Sequence, residues 1–300
     1  MRGSVGVLVI AACVFLTPAL PADNTNKLWL TFEQGNAAAS QKEYGRALQL
    51  YKAAIESAGI FPEAEAAVGD VYLEEGEAAL AQRQYEKAYD LRKSFYIPDD
   101  QYAILYKLAN LFELQQLYKG MEDSLSSIIA DDKRFQETPN QRLRAQVEKI
   151  YLEKGLDRVI ELYRFDDSFA AAAHSKLGWF YYRTGRFTQA VSQLLYSVVY
   201  RASQVERYSK ERDVEQEFAS LAELLGVIEA SAELRAYADS AGLFKDLYYL
   251  AGSTFAAGYP AHSFTIWKLL SATPAAGLYS SLAARQLKKP FTEPLLSVQR

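Results

Sequence analysis

Residues 66–88 read AAVGDVYLEEGEAALAQRQYEKA, and the spacing inside this stretch decides the fold. Tyr72 follows Gly69 by three residues, Gly76 by seven, Ala81 by twelve, Tyr85 by sixteen and Ala88 by nineteen. Residues three apart in a helix share a face, one turn along. A glycine just past a run of good helix formers ends that helix and makes the turn. The stretch therefore predicts two helices joined at Gly76. Gly69 lets the first helix come close to its partner, Ala81 receives its bulk, and Tyr85 and Ala88 close the packing.

The same offsets recur elsewhere. From Gly178 they give Tyr181, Gly185, Ala190, Leu194 and Ser197. From Gly35 they give Ala38, Lys42, Ala47, Tyr51 and Ala54. Gly35 and Gly69 lie 34 residues apart. One hairpin cannot bury its apolar stripe alone, so such units must stack. At these residues the chain resembles the tetratricopeptide repeat family, with the strongest units at about 28–61, 62–95 and 171–204. A degenerate unit at 102–135 carries Leu105, Leu108, Ala109, Phe112, Tyr118, Met121 and Leu125. Another at 141–170 keeps Val147, Tyr151, Gly155 and Tyr163 but has a short second helix. A hairpin at 245–276 offers Tyr248, Gly252, Phe255, Gly258, Trp267 and Leu270, and a capping helix completes 245–289. The resemblance implies an all-α superhelical solenoid of about five to six antiparallel hairpins, with repeats filling 23–204.

The rest of the chain agrees with an all-helical reading. No proline falls between Asn140 and Tyr259, and alternating Val/Ile/Thr runs are missing. The stretch RASQVERYSKERDVEQE, 201–217, is densely charged, with Glu206–Lys210 and Arg207–Glu211 at i,i+4. It reads as a solvated helix. Phe218, Leu221, Leu225 and Ile228 then share an apolar face, so 205–244 reads as non-repeat bridging helices. Tyr279, Ala283, Leu287 and Pro290 form a spaced row before a 290–300 tail. That row resembles the end of the superhelical part of soluble lytic transglycosylases.

The first 22 residues read as a signal peptide: Arg2, then an apolar run from Val5 to Leu16, then Pro18 and Pro21 among small residues. The run is too short for a comfortable membrane span, which needs roughly 20 residues. The expectation is export to the periplasm, with cleavage after Ala19 or Ala22. Ile10-Ala11-Ala12-Cys13 also resembles a bacterial lipobox, which would instead make Cys13 a lipid anchor. Cys13 is the single cysteine, so a chain cleaved beyond it has no thiol.

Composition and motifs speak against chemistry. The net charge of −4 with interspersed signs does not suit a nucleic-acid partner. The two histidines, His174 and His262, lack ligand spacing and read as packed or surface residues. No nucleophile elbow or phosphate-binding glycine loop occurs. The pairs Asp99-Asp100, Asp131-Asp132 and Asp166-Asp167 fall between repeats and read as helix caps. The expectation is no enzyme, no cofactor and no metal.

A surface remains. In the family, the inner helix of each hairpin lines a concave groove. That places Ser175, Trp179, Tyr182 and Arg183 in the groove, with Tyr106 and Asn110, Lys149 and Tyr249 from other units. Aromatics and Arg carry binding energy at interfaces. The alternative is that Trp179 and Tyr182 pack against neighbouring elements. The family's carboxylate clamp is not reproduced; Lys107 and Asn110 are a fragment of it. The sequence thus points to a non-catalytic scaffold of the bacterial cell envelope that binds a protein or peptide. An oligomeric accessory subunit of a cell-wall or transporter assembly is the alternative. No membrane contact is expected beyond the signal segment or a lipid anchor.

Overall fold

In the computed structural model, residues 22–132, 138–165, 168–210, 218–293 and 296 are described. The signal segment, Cys13, the Asp166-Asp167 pair and Glu211 lie outside them. The described residues are all-helical, with no strand among them. Two compact units divide the chain, Met1–Pro98 and Asp99–Arg300.

The first unit holds four helices: α1 (Ala22–Ser40), α2 (Tyr44–Ala58), α3 (Pro62–Glu74) and α4 (Ala78–Asp90). α1 packs on α2, and α3 on α4. The core gathers Phe32, Ala47, Tyr51, Phe61 and Ala64. Trp29 sets its ring edge-on to Phe61 at 4.9 Å. Pro62 opens α3 at a position where its missing N–H costs nothing. Two tyrosines return their hydroxyls to the first helix of their own hairpin. Tyr51 donates to Asn36 (2.8 Å) and Tyr85 to Asp70 (2.7 Å), each 15 residues back.

The second unit contains α5 (Asp100–Leu114), α6 (Tyr118–Ala130), α7 (Thr138–Lys154), α8 (Leu156–Leu162), α9 (Ala170–Arg183) and α10 (Phe187–Lys210). It continues with α11 (Leu221–Ala230), α12 (Ala232–Ser240), α13 (Leu243–Ala256), α14 (Pro260–Ser271) and α15 (Leu278–Lys288). α9 packs on α10, on α6 and on α13.

Five hairpins in the two units share one turn. A residue of positive φ ends each first helix: Lys42 (61°), Gly76 (80°), Gln116 (59°), Gly185 (75°) and Gly258 (95°). The next residue's N–H then bonds the carbonyl five residues back. The pairs are Glu43–Ala38 (2.9 Å), Glu77–Tyr72, Leu117–Phe112 and Arg186–Tyr181 (2.8 Å each), and Tyr259–Thr254 (3.0 Å). This is the Schellman closure, which satisfies carbonyls the helix end leaves open. Seven residues before each turn stands a small residue: Gly35, Gly69, Ala109, Gly178 and Ala251. Twelve beyond that anchor come Ala47, Ala81, Met121, Ala190 and Ser263, all buried. Sixteen beyond come Tyr51, Tyr85, Leu125, Leu194 and Trp267, also buried. A Cβ on Gly69 would stand 2.6 Å from the Tyr85 ring, and one on Gly178 2.5 Å from Leu194.

In the 243–271 hairpin the anchor position is Ala251, and the nearest atoms to a Cβ on Gly252 belong to Tyr182 of α9 (3.1 Å). Three expectations need correction. The 201–210 stretch is no solvated helix but the last turns of α10, with Arg201, Val205, Glu206 and Ser209 buried. Its charges are paired with other parts of the chain, Arg201 with Asp246 (2.9 Å) and Glu206 with Arg164 just after α8, while the i,i+4 pair Glu206–Lys210 also forms (2.7 Å). Asp99 precedes α5 without a side-chain cap bond, and Asp132 takes the hydroxyls of Ser168 and Tyr200 (2.7 and 2.6 Å). Finally, Gly155 alone joins α7 to α8, at φ 87°, so this pair lacks the shared turn. α7 is tied instead to the α13–α14 hairpin. Tyr151 bonds Thr254 (2.7 Å), and His262 Nε2–H donates to the Leu152 carbonyl (2.9 Å).

Candidate functional site

The expected groove residues divide once their neighbours are known. Tyr106 is tied down by its hydroxyl, which donates to the Phe169 carbonyl (2.5 Å). Asn110 accepts from Lys176 of α9, which also pairs with Glu113 (2.6 Å). Ser175 donates to Asp246 (2.6 Å). These three hydrogen bonds fasten α9 and its N-terminal end to neighbouring helices, with Asn110 exposed and Tyr106 and Ser175 half-buried. Their partner polar groups reach them from one inner helix to the next, a distance the helical spacing alone does not reveal. Lys149 is exposed on α7 beside Glu153 (3.8 Å) and apart from the rest.

Asp246 explains Ser175. Its carboxylate is fully buried and takes Ser175, Ser197 (2.5 Å) and Arg201. A buried charge left without partners would be costly, so the three donors hold α9, α10 and α13 in one register. His174 is likewise absorbed by packing, against Gln193 (2.7 Å) and the rings of Tyr196 and Tyr200. Among the described residues, no group of three or more His, Cys, Asp or Glu is placed to hold a metal ion. None of the described helices is long and apolar enough to cross a membrane.

The remaining residues form a face between α9 and α13. Trp179 is half-buried, with Lys245 above its ring at 4.7 Å and the Arg183 guanidinium at 5.8 Å. Cations over an indole face are attracted by the ring quadrupole. Tyr182 and Tyr249 meet at 5.1 Å, and Tyr248 meets Tyr249 at 5.1 Å. Tyr182 is buried with its ring against Phe187 and Tyr249, the packed one of the two alternatives raised for it. What reaches its hydroxyl is a segment 111 residues away: the Glu293 N–H donates to Tyr182 (3.1 Å).

That segment leaves α15 at Pro290 and crosses the face. The buried Gln286 amide pairs with the Phe291 backbone, accepting its N–H (2.9 Å) and donating to its carbonyl (3.0 Å). Tyr248 and Tyr249 donate to opposite oxygens of the Glu293 carboxylate, 3.2 Å each. The Leu296 N–H donates to the Arg183 carbonyl (2.6 Å). Leu296 also lines a cleft of about 740 Å³ with Phe112, Leu117, Tyr118, Phe180 and Arg186. Burial, reinforced by Glu293, pushes the Tyr249 hydroxyl well above its usual range; Tyr248 is raised by the same causes, burial foremost. Both stay protonated donors at any ordinary pH. Sequence spacing missed Lys245 and Glu293 entirely. The available signal was the acid placed between Pro290 and Pro294, because a residue before proline is held extended.

No family model matches the chain. It is similar to an uncharacterized protein of Treponema pallidum (strain Nichols), 24% identical over 235 residues, covering 78% of this chain. The match spans 63% of that relative, less than two thirds of its length.

Proposed function

We propose that this protein is a non-catalytic scaffold whose helical hairpins stack as a tetratricopeptide-type solenoid and bind another protein through the α9/α13 face. The repeat part of the reading is supported by five hairpins with one turn geometry and common packing offsets. The observation that carries the binding part is the seat itself. Tyr182, Tyr248, Tyr249 and the Arg183 carbonyl hold Glu293 and Leu296 by main-chain and side-chain hydrogen bonds, beside a Trp179 ring with Lys245 and Arg183 over it. Docking an extended segment by its backbone, with side-chain pockets adding specificity, is a recurrent recognition mode. The export reading rests on residues 1–22 and places the partner in the cell envelope.

The test is covalent capture in cells that make the protein. A photoreactive benzoylphenylalanine replaces Lys245 beside the face, or Lys93, exposed in the first unit, as the control. The expected result is a discrete protein adduct from position 245, reduced by Trp179→Ala, and none of that mass from position 93. Equal adducts from both positions, or none from 245, would contradict the assignment.

A further inference from the structure

The 291–296 segment is built unlike the elements it touches. Helices of the hairpins bury whole apolar residues, such as Leu194, Trp267 and Leu270, against each other. In the segment, Phe291 and Glu293 are half-buried and Thr292 is exposed. Its grip is polar. The Gln286 bonds fix where the chain leaves α15 and are local to that helix end. The other bonds come from α9 and α13 and read three features: the N–H of residue 293, its carboxylate, and the N–H of residue 296. Two of these belong to any extended chain. One belongs to an acidic side chain.

The electrostatics agree. The carboxylate lies where two neutral hydroxyls converge, and the same two helices carry Lys245 and Arg183 over Trp179. Hydrogen bonds to a charged acceptor are the stronger kind, so the acid is the main determinant of register. Proline at 290 cannot continue α15, so Phe291, Thr292 and Glu293 run free of the helix.

We infer that the α9/α13 face recognises peptide segments bearing an acidic side chain, and that Phe291–Glu293, together with Leu296, are its replaceable occupant in cis. This rests on the scaffold reading and names the partner's chemistry. Tyr182 takes a main-chain N–H, Tyr248 and Tyr249 take the acid two-handed, and the Arg183 carbonyl takes an N–H three residues on. The cleft that Leu296 lines receives an apolar side chain of the ligand. A tethered occupant acts at an effective concentration in the mM range. A partner must therefore outcompete it, which keeps the face closed to weak ligands.

The test uses the full-length protein and a fluorescent peptide of residues 290–296, PFTEPLL. Anisotropy titrations compare the natural chain with Glu293→Arg, which removes the cis acid that Tyr248 and Tyr249 hold. Glu293→Gln is a milder second variant, and circular dichroism checks both for folding. Peptide affinity is expected to rise at least tenfold in Glu293→Arg and severalfold in Glu293→Gln. Adding Tyr248→Phe and Tyr249→Phe, or replacing the peptide's Glu with Gln, is expected to remove most of that gain. Equal affinity in natural and variant chains, or indifference to the peptide's acid, would overturn the inference. The scaffold reading fails separately: it falls if position 245 captures no protein, whatever the peptide does.

Discussion

The two units use tyrosine in opposite ways. In α2 and α4, Tyr51 and Tyr85 lie in the second helix and send their hydroxyls back to Asn36 and Asp70 of the same hairpin. In α9 and α13, Tyr182, Tyr248 and Tyr249 lie in first helices, and their hydroxyls meet residue 293. The ring is apolar cargo in both places; the difference is where the polar tip finds its partner. A partner 15 residues away in a rigid hairpin makes a structural tyrosine. A partner on a separate extended segment makes one whose hydroxyl can change hands. Leu194 sharpens the point: at the position of Tyr51 and Tyr85 it needs no polar partner, so the equivalent of Asn36 and Asp70 is free to be Trp179.

The largest effect should come from the structural side. Gly69→Val forces side-chain atoms into the Tyr85 ring, 2.6 Å from the first Cβ, and into the Ala81 carbonyl at 3.3 Å. Overpacking of this kind costs about 3 kcal/mol, read as a lower urea midpoint with unchanged slope. A loss of only a few tenths would mean the hairpin opens easily.

Alkaline pH should come next. Burial first, then the charges of Asp70 and Glu33, push Tyr51 up to about 12, and Tyr85, Tyr181, Tyr248 and Tyr249 rise further. A folded pKa above the unfolded value of about 10 favours the neutral, folded form. The contribution is complete below pH 10 and is lost as pH climbs toward 12. The urea midpoint should be lower at pH 11 than at pH 8, and an unchanged midpoint would contradict the burial of these hydroxyls.

Tyr85→Phe removes the bond to Asp70 and should cost about 1 kcal/mol in the same melt. Tyr249→Phe should leave that melt within about 0.5 kcal/mol, because its bond is to an extended segment outside the hairpins. Equal losses for the two would erase the contrast. In the opposite direction, Gln116 holds φ 59° where Gly76 and Gly185 hold theirs without strain. Gln116→Gly should stabilise by up to about 1 kcal/mol.

Much of the helical pairing was legible in the sequence, because Gly, Tyr and Ala stood at repeating offsets around Gly35, Gly69 and Gly178. Ala109 and Ala251 serve as anchors too, but Ala is too common to flag itself. Lys42 and Gln116 make the turn that Gly76 makes, without a glycine to announce it. In the charged 201–210 stretch the i,i+4 pair Glu206–Lys210 forms as expected, but spacing is blind to Arg164, just beyond α8, and to Asp246 of α13, which bury the rest. The face itself was half legible. Trp179, Tyr182 and Arg183 stood out as side chains the hairpin pattern did not use, and the family resemblance added Tyr249. The sequence left Tyr182 open between groove and packing, because the ring's main cover, Tyr249 and Gly252, comes from α13.

Amide hydrogen exchange at Glu293 and Leu296, with and without excess PFTEPLL peptide, tests the α9/α13 face most directly. Alone, both N–H groups should exchange more slowly than in the free peptide yet faster than the Leu194 amide of α10. Added peptide should displace the segment and speed them severalfold, leaving Leu194 unchanged. Protection equal to that of Leu194 and indifferent to peptide would make the segment a fixed strut and contradict a binding face.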